Sequence, residues 1–138
     1  MNQAQLLVYF ENSVGRILEH PDGYAVIQYH GGARQLDHLQ AFLMHTGRLL
    51  RQRGWHRILA DQTQMLAFTE EESHWILDYW LSQNEQRPDK LYGAVILSHD
   101  AFASLSVSQI MHEAQAAALT YRLFEDETGA QAWLRTLQ

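Results

Sequence analysis

Residues 119–138 read LTYRLFEDETGAQAWLRTLQ, and their hydrophobic period changes within a few positions. Leu119, Tyr121 and Leu123 alternate with polar residues, as the side chains of a half-buried strand do. After the acidic turn, apolar residues recur at the three-four spacing of a helix face: Ala130, Trp133, Leu134 and Leu137. The chain therefore closes with a strand and an amphipathic helix, and Asp126 is the predicted N-cap of that helix.

The N-terminal part contains three short strand-like runs, residues 6–10, 16–20 and 24–29, separated by turn residues. The Pro-Asp-Gly sequence between the last two runs is typical of a reverse turn. A helical stripe then begins at Leu36, and Gly54 stands where a left-handed C-terminal cap belongs. These patterns predict an antiparallel meander followed by a first helix.

The middle of the chain repeats the alternation of strand and helix. A buried strand is predicted over residues 58–60 and another over residues 91–97. Between them, Thr69 and Glu72 form a T-x-x-E capping box that predicts the start of a second helix. A similar box, Ser106 with Gln109, predicts a third helix before the terminal strand.

Strands that are joined through helices must run parallel or nearly so, and the crossovers place helices on the sheet. The predicted class is α/β, with a mixed β-sheet, an N-terminal antiparallel meander and about four helices packed on the sheet. At 138 residues, the chain is expected to form one domain, residues 1–138.

Composition excludes several classes of function. The chain is 46% hydrophobic and 19% charged, has no cysteine, and carries a formal charge of -6 with one lysine, Lys90. Thiolate chemistry is excluded, and the charge argues against a nucleic-acid partner, whose phosphates require many cations. No apolar stretch approaches the roughly twenty residues of a membrane span, and no secretory signal is visible. A cytoplasmic location is expected.

With this order of elements, the chain resembles the SpoIIAA-like family, small bacterial domains of the STAS type. The resemblance rests on the strand of residues 24–29 ending at Gly31, on RILADQT after Gly54, and on TYRLFEDETGAQAWL near the C-terminus. It implies a STAS-like fold and a non-enzymatic module in bacterial signalling or regulation. In one branch of the family, an Asp-Ser-x-Gly motif is phosphorylated, whereas this chain has Asp61 and Thr63 there. The resemblance therefore implies only the general role of an interaction module.

The second predicted helix is unusually aromatic. Phe68, Trp75, Tyr79 and Trp80 span more of it than one core stripe requires, and Thr69 stands at its start. Surplus exposed aromatics would suggest a surface for a homodimer or a protein partner, or a ligand groove, because such residues carry much of the energy at interfaces. The same residues could equally be core.

Two other groups of residues are candidate sites. His99 and Asp100 follow a predicted strand, where ligand sites of open α/β sheets concentrate, and could act as an acid-base pair. The simpler interpretation is that this pair caps a loop. A run of arginines could bind an anion, although a solvated helix end is the commoner meaning: Arg48, Arg51, Arg53 and Arg57.

The sequence thus predicts a binding module without a cofactor or metal, acting through the face that carries Phe68, Thr69, Trp75, Tyr79 and Trp80. The alternative is a carrier for a small apolar or lipid-like ligand, held between the aromatic helix and the sheet. An enzyme using His99 and Asp100 is the third hypothesis.

Overall fold

The computed structural model describes residues 6–81, 90–98 and 119–137. Within these ranges, one six-stranded sheet has its strands in chain order. The strands are β1 Leu7–Glu11, β2 Gly15–His20, β3 Tyr24–Tyr29, β4 Arg57–Gln62, β5 Leu91–Leu97 and β6 Leu119–Phe124. The helices that the described ranges contain are α1 Leu36–Arg53, α2 Glu70–Leu81 and α3 Glu127–Arg135. The helix predicted from Ser106 and Gln109 lies outside the described residues.

The sheet is mixed, as the sequence predicts. Strands β1, β2 and β3 pair antiparallel, and β3, β4, β5 and β6 pair parallel. The N-terminal meander is therefore confirmed, and so is the α/β class.

The ends of the elements follow local chemistry. Gly23 has a φ of 88° and its N–H donates to the His20 carbonyl at 3.0 Å, which closes the Pro-Asp-Gly turn between β2 and β3. Gly54 caps α1 in the left-handed region with a φ of 65°, and the Trp55 N–H reaches back to the Leu50 carbonyl at 2.9 Å. The Asp126 side chain accepts a hydrogen bond from the Gly129 N–H at 2.8 Å. All three predicted boundaries are confirmed.

Apolar side chains cover both faces of the sheet. One face packs against α1 and α2, with Ile17, Ile27, Ile58 and Val95 pointing into that core. The opposite face packs against α3, whose Ala130 and Leu134 are fully buried: its strand residues include Leu18, Val26, Leu59 and Ile96. We call these the α1–α2 face and the α3 face. The sheet thus forms the middle layer of the protein.

Two half-buried histidines stack on aromatic rings and give stability a pH dependence. His45 on α1 stacks on Phe10 of β1 at a centroid distance of 3.9 Å, and His20 stacks on Tyr24 at 4.3 Å. Burial lowers the pKa of both imidazoles below the usual 6.5. As the pH falls below 6.5, the unfolded chain binds these protons before the folded chain does, so the folded state should lose stability.

We therefore expect chemical denaturation to give a lower free energy of unfolding at pH 5 than at pH 7. Replacing His45 by glutamine should reduce that difference, whereas His74→Gln, at an exposed position on α2, should leave it unchanged. An equal pH dependence in the wild type and in the His45 variant would contradict this assignment.

Candidate functional site

The parallel strands have their carboxyl ends on the same side of the sheet. The segment that follows β4 on this side leads into α2. It begins with a tight turn in which the Asp61 carboxylate accepts hydrogen bonds from the Thr63 N–H at 3.0 Å and hydroxyl at 2.7 Å. The Met65 N–H then donates to the Gln62 carbonyl at 3.2 Å. Open α/β sheets place their ligand sites at the carboxyl ends of their parallel strands.

The segment ends at the predicted capping box. The Thr69 hydroxyl accepts from the Glu72 N–H at 3.1 Å, and the Glu72 carboxylate accepts from the Thr69 N–H at 2.9 Å. These reciprocal hydrogen bonds satisfy two of the donors that a helix start leaves open. The structure confirms this prediction and fixes where α2 begins.

Arg34, which precedes α1, also binds the segment between β4 and α2. Its guanidinium makes two hydrogen bonds to the Glu72 carboxylate, at 3.1 Å from Nε and 2.7 Å from Nη2. It also donates to the carbonyls of Leu66 at 2.9 Å and Ala67 at 3.1 Å, and lies 5.1 Å from the Phe68 ring centroid. We call this set of contacts the Arg34 clamp. It uses the planar fork of arginine to fix the loop before α2.

The clamp joins two charges out of contact with water. The side chains of Arg34 and Glu72 are each 4% exposed. Burial alone would raise the pKa of the Glu72 carboxyl, but hydrogen bonds from Arg34 and Thr69 outweigh it and leave that pKa below its usual value. Glu72 is therefore ionised at neutral pH and pairs with the guanidinium.

The structure places the predicted aromatic face mostly against the core. Tyr79 is buried, and Trp75 is half-buried with its ring stacked on Tyr79 at 4.8 Å. Phe68 is also half-buried, with its ring edge-on to Tyr29 at 6.0 Å. Thr69 is exposed at the helix start, while Trp80 belongs to α2 but its side chain lies outside the described part of the structure.

Among the described side chains of this region, Leu66 is an exposed large apolar group, at 56% exposure. It lies on the loop that the Arg34 clamp holds before α2, three residues before Thr69. Sequence reasoning missed both Leu66 and Arg34. The Thr69–Glu72 motif identifies Glu72 in the sequence. It does not identify Arg34, the ion-pair partner of Glu72, which lies 38 positions earlier.

The arginine run divides between two environments. Arg48, Arg51 and Arg53 are exposed at the end of α1, and Arg53 pairs with Glu19 at 2.8 Å. This agrees with the interpretation as a solvated helix end.

Arg57 does not belong to that surface, so its grouping with the run is wrong. It lies in β4 at 9% exposure and donates to three backbone carbonyls, of Leu134 at 2.9 Å, Asp22 at 2.5 Å and Gly23 at 3.3 Å. Its guanidinium also lies 5.3 Å from the Tyr24 ring centroid. Arg57 ties the end of α3 to the β2–β3 turn.

The acid-base pair His99 and Asp100 lies outside the described residues. Within residues 6–81, 90–98 and 119–137, no group of three or more histidine, aspartate or glutamate side chains could hold a metal ion. Nor does any helix in those ranges have the length and apolarity needed to cross a membrane.

Comparison with protein-family models, curated proteins and solved structures found no match to this chain. The resemblance to the SpoIIAA-like family therefore stays a prediction from the quoted motifs. The candidate site is defined by its own geometry: a loop with a fixed backbone, one exposed leucine and a capped helix start.

Proposed function

We propose that this protein is a STAS-like, non-enzymatic binding module of the bacterial cytoplasm that acts in signalling or regulation through protein–protein contact. The contact surface is the clamped loop, residues 66–69, with the adjoining exposed surface of α2. The observation that carries the proposal is the exposure of the Leu66 side chain on a loop whose backbone carbonyls accept hydrogen bonds from Arg34.

A fixed loop suits binding for an energetic reason. Association costs free energy when flexible segments must be ordered, and a loop that is already held loses less of it. An exposed leucine on such a loop can serve as the apolar anchor that a partner's pocket covers. Glu70 and Glu71 are exposed on the adjoining turn, and would favour a partner with lysine or arginine at its rim.

The alternative function is a carrier for a small apolar ligand between α2 and the sheet. Between ring centroids, Tyr29 of β3 lies 6.0 Å from Phe68, which precedes α2, and 5.3 Å from Phe42 of α1. Tyr29 and Phe42 are buried. Side chains that pack this closely favour an external contact surface over an internal ligand site.

Replacing Leu66 by aspartate should reduce partner capture at least about tenfold, because a buried apolar anchor is commonly worth more than about 1.4 kcal/mol. Affinity capture from the native cells with isotope-based quantification measures this change. Met44→Asp is the matched control, since Met44 is also an exposed apolar residue, at 43%, but lies on α1.

Both variants should keep the circular dichroism spectrum and melting temperature of the wild type, because both side chains already face water. A partner that is retained by the Leu66 variant as well as by the Met44 variant would refute the proposed surface.

A further inference from the structure

Strand β1 forms one edge of the sheet and exposes apolar side chains there. Leu7 is 68% exposed and Val8 is 53% exposed. β1 contains no lysine and no proline, residues that usually protect an edge strand from pairing, and its one charged residue, Glu11, stands at its C-terminal end. The opposite edge, β6, differs because it exposes Thr120 and Arg122. Among the residues that the structure describes, no strand pairs with the outer side of β1, so its backbone groups there suit another β-strand.

The chain holds β1 in place as a preformed template. The Tyr9 hydroxyl donates to the Gln52 side chain of α1 at 3.3 Å, and Phe10 stacks on His45 of the same helix. The pairing register with β2 shifts between Val8 and Phe10, so the bulge falls at Tyr9 and leaves Leu7 and Val8 in regular pairing. An added strand would meet an ordered edge and would not have to order it.

The charges beside β1 permit a second copy of the chain as the occupant. Two molecules of formal charge -6 repel each other over most of their surface. Beside β1, however, the acidic groups have partners: Glu19 pairs with Arg53 at 2.8 Å and Glu11 contacts His30 at 3.2 Å. In antiparallel pairing centred at Val8, the two copies of Glu11 would stand six residues apart, roughly 20 Å. This distance exceeds the Debye screening length, which is about 8 Å at physiological ionic strength.

Symmetry also favours pairing of β1 with itself. Pairing of β1 with β6 of the next copy would be head-to-tail and open-ended, whereas two β1 strands related by a twofold axis close after one contact. Since β1, β2 and β3 already pair antiparallel, an antiparallel β1 would continue the meander.

We propose that two copies of this chain associate through antiparallel pairing of their β1 strands, with a twofold axis at Val8. The two sheets become continuous, and the exposed Leu7 and Val8 of each copy are covered by the other. This interface is separate from the clamped loop, since β2 and β3 lie between β1 and β4 in the sheet. Each copy therefore keeps its clamped loop available for another partner. The dimer and the proposed function can be tested independently of each other.

Sedimentation analysis across a concentration series tests the interface. The wild type is expected to sediment as a dimer, and Val8→Lys should raise the dissociation constant at least about tenfold, because it places two like charges across the axis. Met44→Lys, on α1, should behave as the wild type does. A wild type that stays monomeric at its highest soluble concentration, or a dimer that Val8→Lys leaves unchanged, would overturn the proposal.

The absence of native cysteine allows a second test that does not depend on the lysine variant folding. With the axis at Val8, a single Val8→Cys substitution brings two thiols to facing positions of paired strands, within the range that a disulfide can bridge. Mild oxidation should convert this variant to a covalent dimer, whereas Met44→Cys should remain monomeric. Cross-linking of Val8→Cys that is no faster than that of Met44→Cys would contradict the twofold pairing.

Discussion

Replacing Glu72 by alanine is expected to lower the free energy of unfolding by about 3–5 kcal/mol, because it leaves the buried Arg34 guanidinium without its carboxylate. The same substitution removes the acceptor of the Thr69 N–H at the start of α2. Urea denaturation monitored by circular dichroism measures the change. Glu71→Ala is the control, since Glu71 is an exposed neighbour on the same turn, and should change stability by less than about 0.5 kcal/mol.

A double substitution separates the stability of the clamp from its effect on the loop. Arg34→Met with Glu72→Leu replaces both charges by apolar groups, and should recover most of the stability lost in Glu72→Ala. The carbonyls of Leu66 and Ala67 would still lose their donors. Equal stability of Glu72→Ala and Glu71→Ala would show that the ion pair does not hold α2 in place.

Replacing Arg57 by methionine is expected to cost about 2–4 kcal/mol, because three backbone carbonyls lose charged hydrogen-bond donors. Lysine should not restore this loss, since one ammonium group cannot reproduce the arginine fork. Thermal and urea unfolding of both variants measure the effect.

The matched control is Arg53→Met. Arg53 is 52% exposed and makes only a surface ion pair with Glu19, so its replacement should cost no more than about 1 kcal/mol. Similar losses in the Arg53 and Arg57 variants would contradict the role of Arg57 in tying α3 to the β2–β3 turn.

Much of the fold could be predicted because its signals are local. The strands Tyr24–Tyr29 and Leu91–Leu97 are confirmed to the residue, since each is an apolar run bounded by turn or polar residues. Strand β4 is longer than the predicted residues 58–60, because polar residues at both ends, Arg57 and Asp61 among them, continue the pairing with β5. An apolar run marks the centre of a buried strand but not its ends.

The candidate site could be predicted only in part, because its decisive contacts join distant residues. The Thr69–Glu72 box is a spacing within one helix turn and is visible in sequence. The contact of Arg34 with Glu72 crosses the whole of α1 and β4, so no local pattern reports it. The aromatic residues of α2 were ambiguous for a similar reason, since only the packed sheet decides that Tyr79 faces the core.

If both proposals hold, the module would pair through β1 and would present the clamped loop, residues 66–69, to a different partner. The clamp explains why a short loop with an exposed leucine can keep one conformation in water. Because Leu66 and Val8 lie on different elements, substitutions at one position should leave the function of the other intact.

Site-specific photo-cross-linking tests the contact surface most directly. A benzophenone amino acid is placed at position 66 of the full-length chain, and at position 44 in a control protein, in the cells that naturally produce this protein. We predict a discrete covalent adduct with a second protein from position 66 and none from position 44. No adduct from position 66, or the same adducts from both positions, would contradict the assignment of the clamped loop as the binding surface.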